Sequence, residues 1–406
     1  MDLQSGLLYW LTTFKDPPSY PSLEEDIECD VLIIGGGISG AQCAYYFSET
    51  DLDIVVVDKR KIGYGSTCAN TALIQYLSNK MAFELVNSFG EDHAIRHLRL
   101  CEEAINEIER AAASMNIDSE FTRRNSLYYA SYEEDVQKLK KDYGYLQKHN
   151  FAVEFLTEEQ IGALYPFKKR AALYVKNDGE LNPYKFTIGL LEQARAKGVR
   201  VFEQTEINGK KLEQDAATFY TNTKHSIKAK HVIIAAGYEG LEFKMEKNAV
   251  LSSTYAVITN PVEDFTDWHK RTLIWETARP YIYMRTTADN RIIIGGLDED
   301  IISPKERDAK LMHKKDKLIR EFNELFPNIK AHPEFYLAAH FGATHDGLPI
   351  LGMYGDMPNC YFIFGYGDNG ILYNMVLAKL VRDLITEGSH PDLDIYLQTR
   401  PMLYSL

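Results

Sequence analysis

The chain has 406 residues, of which 45% are hydrophobic and 25% are charged, so its composition is that of a globular protein and excludes intrinsic disorder. Asp and Glu (58) outnumber Lys and Arg (45), and the net charge of -13 disfavours nucleic acid as a partner. Five scattered cysteines without a CxxC pair disfavour a disulfide framework and a metal site. We expect a cytoplasmic protein, because no apolar run is long enough for a membrane span and residues 1–20 do not resemble a signal peptide.

A βαβ unit is predicted directly after an acidic, proline-containing lead-in over residues 1–29. Residues 30–34 are typical of a buried parallel strand, because a continuous apolar run follows Asp30, and residues 41–47 are predicted to be a helix that packs its small side chains inward. A second buried strand over residues 54–57 ends at Asp58. The unit therefore has the order expected at the start of a nucleotide-binding domain.

The turn between the first strand and the helix carries the pattern Gly35-x-Gly37-x-x-Gly40. Gly35 is expected to make the tight turn, Gly37 to let a diphosphate approach the backbone, and Gly40 to let helix and strand pack closely. Asp58, 18 residues after Gly40, is placed to bind ribose hydroxyls. Together these features predict a dinucleotide site, although they do not distinguish NAD from FAD.

The rest of the chain is predicted to mix helices and strands. Helices are expected over residues 81–118, 133–149 and 183–197, and a buried strand over residues 230–237. Residues 250–300 are mostly β in pattern. Further helices are expected over about 304–325 and 371–387.

Five segments, in order along the chain, resemble FAD-dependent oxidoreductases of the D-amino-acid oxidase superfamily, the group that includes glycine and sarcosine oxidases. They are residues 30–40, 61–75, 233–237, 345–352 and 365–370. The lead-in segment from Tyr20 to Asp26 resembles γ-glutamylputrescine oxidoreductases and FAD proteins fused to a Rieske domain. Because no Cys/His pairs follow near the C-terminus, we expect no Rieske cluster here.

The resemblance implies an α/β, two-domain flavoprotein with a Rossmann-type FAD-binding domain and a mixed-sheet substrate domain. The first is expected to comprise residues 30–80, 150–250 and 340–406, and the second residues 81–149 and 251–339. Non-covalent FAD is expected, because Asn70 stands where related dehydrogenases carry a linking His, and Ala338-Ala339-His340 where sarcosine oxidases carry a linking Cys.

Backbone N–H groups at the start of the last helix are expected to stabilise negative charge on a reduced flavin. The fingerprint and the resemblance together assign a set of residues to the cofactor, namely Gly35, Gly37, Ile38, Ser39, Gly40, Asp58, Lys59, Arg60, Gly65, Ser66, Thr67, Ala69, Asn70, Thr71, Leu73, Ala236, Gly237, Gly367, Asn369, Gly370 and Ile371.

Four further residues are candidates for catalysis or substrate binding. His340 could accept a proton, Arg285 could bind an anionic group, and Gln75 is expected beside the flavin ring. The plain structural alternatives are a hydrogen bond for His340 and a surface salt bridge for Arg285, and Gln75 is expected to have no acid–base role. Asp368 could anchor a substrate ammonium group or cap the last helix.

The predicted reaction is oxidation of the C–N bond of a small amine by hydride transfer to the flavin, with oxygen or another acceptor reoxidising it. The alternatives are dehydrogenation of a 2-hydroxy acid or glycerol phosphate, and a non-catalytic FAD-fold binding module. The resemblance also implies that the substrate is not a simple α-amino acid. Phe341 and Asp368 stand where amino-acid and glycine oxidases carry arginines that bind the carboxylate.

Overall fold

A computed structural model describes residues 1–78 and 80–401. In chain order the strands are β1 (Gln4–Leu7), β2 (Ile27–Ile34), β3 (Ile54–Val57), β4 (Leu73–Ile74), β5 (Thr122–Tyr129), β6 (Val153–Thr157), β7 (Ala171–Glu180), β8 (Arg200–Phe202), β9 (Ile207–Leu212), β10 (Ala217–Thr221), β11 (Ser226–Ile234), β12 (Ala249–Thr259), β13 (Leu273–Glu276), β14 (Ile282–Thr286), β15 (Ile292–Glu299), β16 (Pro333–Thr344), β17 (Ile350–Met353) and β18 (Cys360–Phe364).

The α-helices are α1 (Ile38–Phe47), α2 (Ala82–Phe89), α3 (Glu91–Ser114), α4 (Asp135–Lys148), α5 (Glu158–Leu164), α6 (Pro183–Ala196), α7 (Gly240–Phe243), α8 (Pro304–Leu325), α9 (Gly370–Glu387) and α10 (Leu393–Tyr396). Local signals fix several of these starts. Asn182 caps α6 by accepting a hydrogen bond from the Lys185 amide, and Ser303 caps α8 in the same way. Among the described residues, no helix is both long and apolar enough to cross a bilayer.

An eight-stranded sheet forms the nucleotide-binding half of the fold. Its main path runs β17-β18-β11-β2-β3-β8, and β9 and β10 extend it beside β11. The central pairs, β2 with β3 and β2 with β11, are parallel, and their apolar side chains are almost fully buried. Helices α1, α6 and α9 pack together against this sheet. This confirms the predicted βαβ unit and the mixed α/β class.

A ten-stranded mixed sheet forms the other half. Its path runs β1-β16-β12-β15-β14-β13-β5-β7-β4, with β6 paired to β7. Helix α8 packs on one face through Leu311, Leu318 and Phe322. The opposite face is turned toward the nucleotide-binding half and forms part of the clefts described below.

Some strands lie in a different sheet from the one expected. Residues 150–250 were expected to join residues 30–80, but β6 and β7, and also β4 within residues 30–80, belong to the ten-stranded sheet. Strand β7 pairs with β5 and β4, which are distant in sequence, and a local pattern carries no signal for such pairing. The lead-in also contains β1, which pairs with the edge strand β16.

Candidate functional site

Two adjoining clefts lie where the nucleotide-binding strands end. The first contains about 1130 Å³ of space and the second about 960 Å³, their open mouths included. They share Ser66, Asn70, Tyr238 and Gly370, so they form one continuous groove between the two sheets. The carboxyl ends of parallel strands are the usual ligand-binding edge of such sheets.

The glycine turn at the floor of the first cleft has no room for side chains. Gly35 has a φ of +114°, and a Cβ there would lie 2.4 Å from the Ala235 carbonyl oxygen. A Cβ on Gly40 would lie 1.8 Å from the Gly35 carbonyl oxygen. The turn leads directly into the N-terminus of α1, and helix N-termini of this kind suit a diphosphate. The residues present fit the FAD that the sequence predicts.

Asp58 is oriented by two backbone amides. Its carboxylate oxygens accept hydrogen bonds of 2.7 Å from the Gly36 and Arg60 N–H groups, and the residue lines the first cleft. Burial raises the pKa of Asp58 to about 6, although those hydrogen bonds and Arg60 oppose the shift. Ribose hydroxyls donating to this carboxylate would favour its charged form.

Lys59 and Arg60 also line the first cleft, and both are paired with Glu239. Arg60 makes a bidentate pair at 2.7 and 2.8 Å, and the Lys59 ammonium lies 3.0 Å from the same carboxylate. Burial alone would raise the pKa of Glu239, but these cations outweigh it and hold the pKa at about 2. Lys59 and Arg60 therefore fix one wall of the cleft.

The loop between the two clefts is tied down from several directions. The Trp10 indole N–H donates to the Asn70 carbonyl oxygen at 2.6 Å, and the Arg285 Nε donates to the Thr71 carbonyl oxygen at 2.7 Å. The Thr67 hydroxyl accepts from the Ile38 N–H at 3.0 Å. This loop, residues 63–75, is therefore held as a rigid wall against which a planar ring could rest.

Arg285 does not line either cleft, which argues against the predicted role in binding a substrate anion. The residue is 2% exposed. Its guanidinium donates to the carbonyl oxygens of Thr71, Leu181 and Thr286, and lies 3.7 Å from Glu180. The surface salt bridge that was the alternative is also wrong, because Arg285 is buried and supports the loop from behind.

His340 is a poor candidate for the predicted base. It contributes to the lining of the second cleft, but strand alternation turns its ring to the face that carries Ala338, beneath α8. Burial lowers the pKa of His340, and the charge of Arg307 on α8 lowers it further. Both effects favour the neutral imidazole, whose Nδ1 is buried without a hydrogen-bond partner among the described residues.

Gln75 lines the second cleft, as predicted, and heads a buried chain of hydrogen bonds. Its amide nitrogen donates to the Ser126 hydroxyl at 3.0 Å, and that hydroxyl donates to the Asp178 carboxylate. Burial raises the pKa of Asp178 to about 7. With Asp178 charged, the chain fixes the Gln75 amide so that its carbonyl oxygen remains available to a ligand.

The glycine-rich loop before α9 closes the second cleft. Gly367 has a φ of +119°, and its N–H donates to the Gly342 carbonyl oxygen at 2.8 Å, so this amide is not available to a flavin. The Asn369 side chain donates to the Leu77 carbonyl oxygen, and Gly370 begins the helix. The Ile371 side chain packs in the core and lines neither cleft, while its backbone N–H lies in the first turn of α9, so the role predicted for that N–H stays a prediction.

Asp368 lies in the wall of the second cleft and accepts a hydrogen bond of 3.1 Å from the Tyr281 hydroxyl. The N-cap position of α9 is Asn369 rather than Asp368. Phe341 lines the same cleft. Relatives were expected to carry carboxylate-binding arginines at these two positions. Here one position is acidic (Asp368), the other is apolar (Phe341), and both face the groove.

Most predicted cofactor residues line the groove. The first cleft is lined by Gly35, Gly37, Ile38, Ser39, Asp58, Lys59, Arg60, Gly65, Ser66, Thr67, Asn70, Ala236, Gly237 and Gly370. The second is lined by Ser66, Ala69, Asn70, Thr71, Leu73, Gly367, Asn369 and Gly370. Gly40 lies outside both, in the helix–strand packing position predicted for it.

Sequence reasoning missed two tyrosines that form the floor of the second cleft. Tyr281 and Tyr283 are two positions apart at β14 and share one face, with ring centres 5.6 Å apart. The neighbouring strand carries Gly295 and Gly296, and a Cβ on Gly295 would lie 2.4 Å from the Tyr283 hydroxyl oxygen. Two glycines inside a strand were the available signal, because they mark a close approach by another group.

Comparisons with known proteins identify the family. The DAO family model, described as FAD dependent oxidoreductase, matches residues 30–384. A Bacillus subtilis (strain 168) protein named as a Rieske 2Fe-2S iron-sulfur protein, YhfW, is 26% identical over 97% of this chain and 75% of its own length. Gamma-glutamylputrescine oxidoreductase of Escherichia coli (strain K12) is 23% identical, over 93% of this chain and 88% of its own.

A solved structure shows the same fold. The crystal structure of glycine oxidase from Geobacillus kaustophilus superposes with a TM-score of 0.77 at 20% identity, covering 92% of this chain and 99% of that one.

Proposed function

The chain belongs to the DAO family of FAD dependent oxidoreductases, and from this premise we propose that it binds FAD non-covalently and oxidises the C–N bond of a small amine. One observation carries the choice of substrate class. Asp368 lies in the second cleft, and the described residues that line this cleft include no Lys or Arg. Such a cleft attracts an ammonium group and repels a carboxylate or phosphate.

When bound, FAD supplies the hydride acceptor, at N5 of its ring. The residues of the chain hold and shield the amine. Phe341, Tyr281, Tyr283 and Trp275 give the second cleft aromatic walls that exclude water. A dry pocket lowers the pKa of the reacting amine, which must be neutral to release a hydride from the adjacent carbon. No side-chain base is required for that step.

The position of His340 and Arg285 weighs against the hydroxy-acid and glycerol phosphate alternatives. These reactions need a base for the hydroxyl proton and a cation for the anionic group. Arg285 is engaged with backbone carbonyl groups outside the cleft and offers it no cation. His340 contributes to the cleft lining, but strand alternation places its side chain on the face of β16 that carries Ala338, within reach of the Arg307 charge.

Anaerobic mixing of the FAD-loaded protein with amines, amino acids and hydroxy acids tests the proposal. Amines are expected to bleach the flavin absorbance, and Asp368→Asn is expected to raise the substrate dissociation constant about tenfold. Asp300→Asn removes an exposed acid at the end of β15 and serves as the matched control. Bleaching by hydroxy acids alone would contradict the proposal, and photoreduction without any reducing substrate would favour a binding module.

Acid precipitation tests the mode of attachment. Cys68 lies in the loop between the clefts, and burial raises the pKa of its thiol to about 12, so a nucleophilic thiolate is not formed there. We expect all of the flavin to appear in the supernatant. Yellow colour that stays in the pellet would show a covalent link. Oxygen or another acceptor as the oxidant, and a cytoplasmic location, complete the proposal.

A further inference from the structure

Gln75 presents an unused hydrogen-bond acceptor to the second cleft. The residue lines that cleft, and its side chain is otherwise buried. Among the described residues no group donates to its Oε1 atom, and this oxygen is not one of the fully buried atoms that lack a partner. The oxygen is therefore accessible from the cleft, where a ligand can donate to it.

The group behind the Gln75 amide distinguishes its two ends. The Nε2 atom donates to the Ser126 hydroxyl at 3.0 Å, and that hydroxyl donates its single proton to the Asp178 carboxylate. Because the proton is already engaged, Ser126 can only accept from the amide, so Nε2 faces Ser126 and Oε1 faces the cleft. The other Asp178 oxygen accepts from the Tyr76 N–H at 3.2 Å, which holds the carboxylate in place.

The part of the cleft beside Gln75 is aromatic rather than charged. Ser126 and Tyr128 lie opposite Leu273 and Trp275 in the pairing of β5 with β13, so Ser126 and Trp275 share one face of the sheet. Trp275 lines the same cleft as Gln75 and stacks on Tyr128, with ring centres 3.6 Å apart. A nitrogen held here therefore contacts an uncharged acceptor within an apolar wall.

An uncharged acceptor suits the nitrogen that reacts. A carboxylate would stabilise the protonated form of an amine, and a protonated nitrogen has no lone pair to support loss of a hydride from the adjacent carbon. An amide oxygen accepts a hydrogen bond from a neutral amine without favouring protonation to that extent, provided that the nitrogen still carries a hydrogen. Primary and secondary amines carry an N–H when neutral, and tertiary amines do not.

We propose that the Gln75 Oε1 atom accepts a hydrogen bond from the reacting nitrogen and so selects primary and secondary amines over tertiary amines. This rests on the proposed amine oxidation. Ser126 and Asp178 are positioning residues, because they act on the substrate only by keeping the Gln75 oxygen turned toward the cleft.

The positioning chain reverses when Asp178 takes up a proton. Burial raises the pKa of Asp178 to about 7. A protonated Asp178 donates to Ser126, whose own proton then bonds the Gln75 oxygen, so the amide turns and presents its N–H groups to the cleft. Two donors then face each other. The preference for amines that carry an N–H is therefore present above this pKa and is lost as the pH falls through it.

The charged groups around Asp178 on β5, β7 and α3 are themselves paired. They are Arg123 with Glu109, Glu102 with Arg99, and Arg124 with Glu180. Burial raises the pKa of the Tyr76 phenol, which therefore stays protonated. Asp178 is the group in this set whose titration near neutral pH reaches Gln75 through Ser126.

Alkylamines that differ only in N-methylation provide the test. n-Butylamine, N-methylbutylamine and N,N-dimethylbutylamine are mixed anaerobically with the FAD-loaded protein at pH 8.5 and pH 5.5. The perturbation of the flavin spectrum gives dissociation constants, and the decay that follows gives bleaching rates. At pH 8.5 the first two amines are expected to bind within about threefold of each other, and the dimethyl amine about tenfold more weakly. At pH 5.5 this step at the second methyl group should shrink to about twofold.

Variants assign the step to the amide and to its positioning chain. Gln75→Met keeps the length of the side chain and removes the acceptor, so the step should fall to about twofold at both pH values. Ser126→Ala and Asp178→Asn should each weaken the step at pH 8.5 and abolish its pH dependence, while Gln137→Met, at an exposed position on α4, should keep both. Circular dichroism and FAD titration confirm that each variant folds and binds the cofactor.

The outcomes separate this inference from the proposed function. A dimethyl amine that binds and bleaches as well as n-butylamine does would overturn the inference and leave amine oxidation standing. A step that survives in Gln75→Met would show exclusion by shape, and the inference would be wrong. It would also be wrong if Gln75→Met weakened FAD binding alone, because Gln75 would then contact the flavin. The expected step in binding without bleaching by any amine would support the inference and contradict amine oxidation, and failure of all three amines to bind would overturn both.

Discussion

A charged side chain that resembles a substrate ligand in the sequence can be a structural support, and Arg285 is such a residue. Arg285→Met removes three hydrogen bonds to backbone carbonyl groups and a cation near the buried Glu180. Breaking a buried pair of this kind costs about 3 kcal/mol of unfolding free energy, and Arg124, which still pairs with Glu180, should reduce the loss. We expect weaker FAD binding and unchanged discrimination between amines and carboxylate compounds.

Denaturant melts, FAD titration and the substrate panel check this expectation. Arg320→Met, on the exposed face of α8, is the matched control and should change none of the three. A variant of normal stability that loses only its response to carboxylate-bearing substrates would restore Arg285 as a substrate ligand.

The buried Asp178 makes stability depend on pH. Its pKa is raised to about 7 by burial, so the folded state binds a proton more strongly than the unfolded chain does. The bound proton stabilises the folded state in full below the unfolded pKa of about 4, and this stabilisation is lost as the pH rises through about 7. Asp178→Asn has no such proton to lose. Its unfolding free energy relative to the wild type should therefore rise by roughly 3 kcal/mol between pH 5 and pH 8.

Urea unfolding at a series of pH values measures that difference. Asp118→Asn, an exposed acid before β5, should show no comparable trend. A difference that stays flat or falls between pH 5 and pH 8 would show that Asp178 is ionised without penalty in the fold.

The sequence predicted those site residues whose role depends on a local turn. Gly35, Gly40 and Asp58 follow from one strand–helix–strand segment, and the structure places them as expected. His340 and Arg285 were assigned less well, because the face on which a strand residue lies depends on register and pairing with distant strands. A single residue's place along the chain does not carry that information.

At the scale of elements, the lead-in is a structural part of the site rather than a linker. Strand β1 extends the ten-stranded sheet, and the Trp10 indole N–H reaches the Asn70 carbonyl oxygen in the loop between the clefts. Trp10→Phe keeps the aromatic packing and removes that hydrogen bond. We expect a loss of about 1 kcal/mol in stability and an FAD dissociation constant raised several-fold.

Trp268→Phe is a close control for this change. Trp268 is also buried, and its N–H donates to the Thr272 carbonyl oxygen at 2.8 Å, far from either cleft. It should lose similar stability without a change in FAD affinity. Equal FAD affinity in Trp10→Phe and the wild type would show that the lead-in does not support the cofactor site.

Helices were easier to predict than the sheets. Helices α6, α8 and α9 begin within one residue of their predicted positions, since capping residues and periodic apolar positions mark them locally. Strands β6 and β7 were assigned to the other half of the molecule, and β1 was not expected at all. Sheet membership depends on long-range hydrogen bonds, which a strand's own sequence does not specify.

At the scale of the whole molecule, the groove is built from both sheets. The first cleft takes its residues mainly from the ends of nucleotide-binding strands, and the second from β12, β14 and β16 of the other sheet. A ligand that spans both clefts contacts both halves and adds its binding free energy to the stability of the folded chain. At a hundredfold excess over its dissociation constant this amounts to about 2.7 kcal/mol.

The adenosine half of FAD should supply much of that stabilisation, because Asp58 and the glycine turn lie in the first cleft while the second suits the flavin ring. FAD should therefore raise the melting temperature of flavin-free protein by several degrees, and FMN, which lacks the adenosine, by far less at the same concentration.

Asp58→Asn should narrow the gap between the melting-temperature shifts that FAD and FMN produce, since a neutral amide binds ribose hydroxyls less strongly than a carboxylate does. Asp53→Asn, an exposed acid just before β3, should leave the gap intact. Equal shifts with FMN and FAD in the wild type would mean that the adenosine does not bind in the first cleft, because an adenosine bound there would add to the stabilisation by FAD alone.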